Sequence, residues 1–212
     1  MQSTGSGSAR RKFVLGVTGN IASGKSTVVR RLEEHGAIGI DADLVYRELV
    51  GPGQPLLRTL ADCFGEEIIA PDGSLDRPAL GRIVFSDPAK LAELDRITHP
   101  AVIAEIDRRV EAIREGVVVI DAVKLIESGH ANRCDEVWVV TLDTDVQMTR
   151  LMARNTLSEA EARRRIEAQP PMAPKLERAD RVIDNSGTLE ETIEQVDAGW
   201  RAIMSSMGQF AG

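Results

Sequence analysis

The chain has 212 residues, of which 42% are hydrophobic and 28% charged, with a formal net charge of -7. That is enough apolar material for one α/β domain with a small insertion, and it excludes a disordered polymer. Aromatic residues at 3% offer few stacking platforms, and the negative charge repels a phosphate backbone, so a nucleic-acid partner is not expected while a phosphorylated small molecule is.

Residues 1–11 are rich in serine and glycine and end in Arg10 and Arg11. They lack the apolar core of a secretion signal and are expected to be a flexible extension preceding a domain at 12–212. No apolar run approaches the roughly 20 residues of a membrane span. Cys63 and Cys134 lie far apart without metal-ligand spacing, which suits a reduced, cytoplasmic interior. A monomer is the favoured state.

Continuous apolar character at 12–18 predicts a buried strand, followed at once by a glycine-bearing loop. Val28, Val29 and Leu32 then mark one face of a helix over about 25–35. A short strand at 37–40 runs into Asp41 and Asp43. From 50 to about 87 the chain is broken repeatedly by glycine and proline, which predicts short helices and turns within an inserted helical cap spanning about 50–115. Pro100 suits the first turn of a helix, with Val102, Ile103, Ile106, Val110 and Ile113 as its apolar stripe. Segments 117–120 and 137–141 read as central parallel strands. Thr144 with Gln147, Ser158 with Glu161, and Thr188 with Glu191 have capping-box spacing, so three helices are expected to start there. A short strand at 181–183 precedes a last helix lined by Val196, Trp200 and Ile203. Strands alternating with helices predict an α/β fold: a parallel sheet covered on both faces, binding ligands at the carboxyl ends of its strands.

Gly19 to Ser26 read G-N-I-A-S-G-K-S and fit G-x-x-x-x-G-K-[ST] in full. Such a loop wraps backbone N–H groups around a β-phosphate, and the helix behind it points its positive end at the anion. Gly19, Asn20, Ala22, Ser23, Gly24, Lys25, Ser26 and Thr27 are the residues expected to hold the nucleotide. Lys25 reaches the β- and γ-phosphates and Ser26 offers its hydroxyl to Mg²⁺. The chain carries no Asn/Thr-Lys-x-Asp guanine-reading motif, which weakens a GTPase reading.

Asp41 and Asp43 follow the second strand beside this loop. A carboxylate there either takes a proton from an acceptor hydroxyl or holds Mg²⁺ and its water, and the other caps the next helix; Asp43 is preferred for the chemistry. Asp121 reads as either a Walker-B acid or a strand-end cap. Arg150 and Arg154 are four apart on one predicted helix face. With Arg163, Arg164 and Arg165 they suggest an arginine-bearing lid at about 154–170, although Arg163 and Arg164 read better as a solvated face paired with glutamates. Arg154 is the arginine expected to neutralise the transferring phosphate. His99 is either a substrate contact or a structural histidine. Asn185 to Gly187 either lie against adenine or form a plain turn.

The order of these pieces resembles the dephospho-CoA kinase family over nearly all of residues 13–203. The resemblance rests on the phosphate loop from Thr18 to Thr27; Asp41, Asp43 and Arg47; Asp72, Gly73, Leu75 and Arg77; His99 before Pro100; Gln147 with Arg150 and Arg154; Arg165, Ile166 and Gln169; and Asp180, Asn185 and Gly187. It implies a three-layer α/β/α nucleoside-monophosphate-kinase-like fold with a cap and a lid. It implies transfer from ATP-Mg²⁺ to the 3′-hydroxyl of the ribose of dephospho-CoA, the last step of coenzyme A synthesis. Asp43 would then be the base and Arg154 the lid arginine. Arg47, Arg77 and Arg82 would hold the acceptor, with Asp41, His99 and Glu127 on its side. One stretch departs from the family pattern: Asp121 to Glu127 lacks a proline and carries Lys124. A kinase for a nucleoside or nucleotide acceptor and a nucleotide-binding regulatory protein are the competing readings.

Overall fold

The computed structural model describes residues 12–208. Strand β1 (Lys12–Gly19) is buried along almost its whole length, as a continuous apolar run between two helical layers requires. Helix α1 (Lys25–Glu34) follows the loop and buries Val28 and Leu32. After β2 (Ile38–Asp41) comes a helical segment, α2 (Ala42–Leu49), α3 (Pro55–Phe64), α4 (Arg77–Phe85) and α5 (Pro88–Ala112). The alternation then resumes with β3 (Gly116–Asp121), β4 (Glu136–Thr141), α6 (Thr144–Asn155), α7 (Glu159–Glu167), α8 (Ala173–Arg178), β5 (Arg181–Asp184) and α9 (Leu189–Ser206).

The five strands form a parallel sheet in the order β2-β3-β1-β4-β5, with helices on both faces, which is the three-layer α/β architecture expected. In the central pairs Val17 stands beside Asp121 and Gly19 beside Val140, so the phosphate loop leaves the sheet level with the ends of β3 and β4. Central β1, β3 and β4 are buried on both faces, whereas the outer β2 and β5 have four residues each and only one buried position. Short outer strands limit edge-to-edge pairing with other chains. On one face Phe13, Leu15 and Val17 of β1 pack with Val28 and Leu32 of α1 and with Val196, Trp200 and Ile203 of α9.

The chain divides into two compact units. Among the described residues one comprises 12–39 and 113–208; the other comprises Ile40–Ala112. The second unit has its own core, in which Val50, Leu60, Phe64, Ile68, Leu80 and Val84 meet Leu91, Leu94 and Ile97 of α5. Asp76 opens α4 by accepting from Ala79 N–H at 2.9 Å.

One expected helix start and one expected capping box need correction. Pro100 does not open a helix: α5 runs through it from Pro88, where a proline does stand at the start. Pro100 removes one helical donor from the ladder, and a buried Thr98 that donates to Leu94 C=O at 2.8 Å sits in the same turn. Thr144 is the first residue of α6, but Asp143 holds the cap position and no side chain caps that helix. The boxes at Ser158–Glu161 and Thr188–Glu191 are both present. Residues 1–11 lie outside the described part. Among the described residues no helix is long and apolar enough to cross a membrane.

Candidate active site

The phosphate loop connects β1 to α1 through Asn20–Gly24. Gly24 has φ +86°, and a Cβ there would strike the Asn185 side chain, so backbone shape and space both demand glycine. A Cβ on Gly19 would come within 2.5 Å of Val140 C=O and 2.7 Å of Ser23 Oγ. Ala22 is also left-handed at φ +59°, an unusual state for a residue with a Cβ. Within the loop Ser23 N–H donates to Asn20 C=O at 3.1 Å, and Thr27 N–H donates to Gly24 C=O at 2.9 Å. The first N–H groups of α1, those of Lys25 and Ser26, have no helical carbonyl to meet. Ser23 Oγ is buried and has no hydrogen-bond partner among the described residues. Unused donors, a buried orphan hydroxyl and a glycine-shaped concavity fit a bound phosphate, and the exposed Ser26 hydroxyl fits a hard divalent cation.

Side chains from distant elements brace this loop from behind. Asn185, just past β5, is buried; it donates to Ser23 C=O at 2.7 Å and accepts from the Thr192 hydroxyl at 2.8 Å. Its polar atoms therefore serve the loop rather than standing open toward a base. Gly187 lies in the turn into α9, against the Glu191 carboxylate of the capping box.

Lys25 forms an ion pair with Asp121 at the end of β3, both side chains being 15% exposed. Beyond Asp121 the chain is pinned at Val123, whose carbonyl accepts from the Thr18 hydroxyl at 3.0 Å and from Lys175 Nζ at 2.7 Å. Lys175 is buried on α8 and also pairs with Glu127 at 2.8 Å. Glu127, expected on the acceptor side, is thus engaged by Lys175. Lys124 is exposed in the same stretch.

Helix α6 carries Arg150 and Arg154. The Arg150 guanidinium lies 3.7 Å from where a Gly24 Cβ would stand, so it borders the loop; Arg154 is exposed one turn later. Gln147, read from spacing as half of a capping box, instead donates to Ile21 C=O at 2.8 Å. Arg163 pairs with Glu159 at 2.9 Å on α7. Gln169 accepts from Ile21 N–H at 2.6 Å.

In the second unit Asp41 is the cap of α2, its Oδ1 accepting from Asp43 N–H at 2.8 Å and Leu44 N–H at 3.1 Å. Asp43, in the first turn of α2, is exposed, and among the described residues no side chain pairs with its carboxylate. Arg47 and Arg82 are exposed; Arg77 lies over the Tyr46 ring at 5.5 Å. Burial pushes the Tyr46 phenol above its ordinary value, and the charge of Arg77 works in the opposite sense. His99 pairs with Asp95 at 3.3 Å along α5.

Sequence spacing gave no role to Gln147, Gln169, Lys175 or Asn185 as loop supports, because each acts on a partner far away in the chain.

A model of the dephospho-CoA kinase family matches residues 13–191. A dephospho-CoA kinase from Symbiobacterium thermophilum is 51% identical over 92% of this chain and 83% of the relative. One from Geobacter sulfurreducens is 49% identical over 88% of this chain and 96% of its own length. Among solved structures, a Thermus thermophilus protein has a TM-score of 0.76 at 32% identity, covering 96% of this chain and all of that one. A Campylobacter jejuni dephospho-CoA kinase has 0.67 at 25% identity over 92% and 98%. A shikimate kinase from Bacteroides thetaiotaomicron, at 14% identity and 0.55, covers 90% and 98% and shares the fold.

Proposed function

The chain belongs to the dephospho-CoA kinase family, and from that premise we propose that it transfers the γ-phosphoryl group of ATP to the ribose 3′-hydroxyl of dephospho-CoA, giving coenzyme A and ADP. The observation that carries this reading is the phosphate loop, with its unused helix-end N–H groups beside Lys25. Phosphoryl transfer needs mainly positioning and neutralisation of charge, and those donors supply both for the β- and γ-phosphates.

Lys25, now held by Asp121, would exchange that carboxylate for phosphate oxygens. Arg150 and Arg154 would neutralise the group in transfer, Arg150 because it already borders the loop and Arg154 because it is exposed on the same face of α6. Asp43 would take the proton from the acceptor hydroxyl. Its support is contrast: Asp41 is spent on a cap, while the Asp43 carboxylate is exposed and, among the described residues, meets no side-chain partner. Ser26 would hold Mg²⁺, which when bound neutralises phosphate charge. Arg47, Arg77, Arg82 and His99 would hold the acceptor in a cap formed by the second unit, and the segment at about 154–170 would act as a lid. A cytoplasmic monomer acting on a small molecule, with neither nucleic acid nor membrane as partner, accords with the charge and with two cysteines far apart in the chain.

The test is the position of the new phosphate. Phosphorus NMR of the product formed from ATP, Mg²⁺ and dephospho-CoA should show one new monoester on the 3′-oxygen. A monoester elsewhere on the acceptor would reject the proposed hydroxyl.

A further inference from the structure

Ile21 sits in the arm of the phosphate loop that belongs to neither strand nor helix, so its N–H and C=O have no ladder to join. Both are met by glutamines. Gln169, just beyond α7, accepts from Ile21 N–H at 2.6 Å, and Gln147, in the first turn of α6, donates to Ile21 C=O at 2.8 Å. We propose that Gln147 and Gln169 are positioning residues for ATP, a two-armed clamp that sets the shape of the phosphate loop and ties the base of the arginine-bearing lid to it. The proposal rests on the kinase reading above and adds to it the residues that orient the loop.

The partners fix which way each amide points. Gln169 turns its nitrogen toward the last carbonyls of α7, those of Arg165 and Ile166 at 3.3 and 3.5 Å, which leaves its oxygen for Ile21. Gln147 is only 7% exposed and lies where a capping partner would be expected, yet α6 has no side-chain cap. A buried amide that forgoes the local bond is placed by the distant one. Gln147, Arg150 and Arg154 recur at helical spacing on one face of α6, so the residue that grips Ile21 also registers the arginine face against the loop.

The clamp has a consequence for donor chemistry. An Ile21 N–H committed to Gln169 is withdrawn from anion binding, so the donors left for phosphate lie further along, at the mouth of α1. Without Gln169 that N–H would seek another acceptor and the arm from Asn20 to Ala22 would lose its fixed course. Displacing the end of α7 from the loop would likewise require breaking this bond, so lid and loop move as one piece at that point.

The experiment uses the full chain with Gln169→Met and Gln147→Met, which keep length but remove the amide, and with Gln169→Glu, which keeps an oxygen within reach. ATP affinity without acceptor, amide exchange of the loop, melting temperature, and the separate KM values are measured. Each Met variant should weaken ATP binding and raise the ATP KM about five- to tenfold, as expected for one lost hydrogen bond. The acceptor KM should stay within about twofold. In Gln169→Met the Ile21 amide should exchange about tenfold faster, and Gln169→Glu should return that protection toward wild type. Unchanged ATP affinity in both Met variants would overturn the proposal. So would a parallel rise in both KM values with a lowered melting temperature, or a Glu variant no better protected than Met. Wild-type protein that fails to phosphorylate dephospho-CoA would defeat the acceptor assignment alone, since ATP binding and exchange judge the clamp without acceptor.

Discussion

Lys25 and Asp43 carry different halves of the proposed chemistry, and their variants should separate. Lys25 stands at the mouth of α1 in a pair with Asp121. Lys25→Ala should weaken ATP binding and lower turnover together, and isothermal titration showing unaltered affinity would count against the phosphate cradle. Asp43→Asn keeps size while abolishing the base. Turnover should fall roughly 10²–10⁴-fold with ATP affinity preserved, as for the loss of a general base. Gly24→Ala introduces a Cβ at φ +86° against Asn185 and should abolish ATP binding without touching Lys25. The residues of the phosphate loop were legible in sequence because the chemistry constrains adjacent positions. Asn185 was not. Its motif was visible, but its bond to Ser23 C=O joins residues 162 apart, and only the folded chain shows the side chain turned to the loop's back.

At the level of elements, the legible features were again the local ones. Ser158 with Glu161 and Thr188 with Glu191 form the reciprocal boxes their spacing suggests, the Thr188 N–H donating to the Glu191 carboxylate at 2.8 Å. Thr144 with Gln147 has the same spacing and a different outcome, because Ile21 competes for the glutamine. Pro100 misleads for a related reason: the local signal marks a helix start, but packing in the second unit carries α5 across it. Helix α7 has only nine residues and would be marginal alone, so its box should matter. Thr188→Ala, on the longer α9, should cost about 1 kcal/mol in a thermal melt. Ser158→Ala should lower kcat through the lid more than it lowers the melting temperature. Equal effects in the two assays would remove the case for α7 as a moving part.

On the scale of the whole molecule, the alternation of strands and helices announced a parallel sheet, and the structure delivers five strands in the order β2-β3-β1-β4-β5. The break in that alternation after β2 marked the helical segment, but not that its compact unit begins at Ile40, ahead of the first glycine and proline breaks. Charge pairs within each unit should make stability sensitive to acid. Bonds from Arg108 and Arg109 push Glu105 in α5 down to about 2 from its ordinary 4.5, and Arg31, then His35, holds Asp197 in α9 well below the carboxylate range. A depressed folded-state value means the stabilisation is complete above the unfolded-state value and is lost as the folded group takes up its proton. The Glu105 contribution should therefore be full above about pH 4.5 and disappear toward pH 2. Glu105→Gln should melt lower than wild type at neutral pH, with the difference closing across that window. A constant difference would assign the loss to packing rather than charge.

The fold is shared with shikimate kinase at 14% identity, so architecture does not choose the acceptor. The most direct test is ADP release with ATP and Mg²⁺ in the presence of dephospho-CoA, shikimate, a nucleoside, or no acceptor, with coenzyme A followed by mass. Fast release with dephospho-CoA alone and one coenzyme A formed per ADP is the expected result. Release that ignores dephospho-CoA, or that is faster with another acceptor, would contradict it.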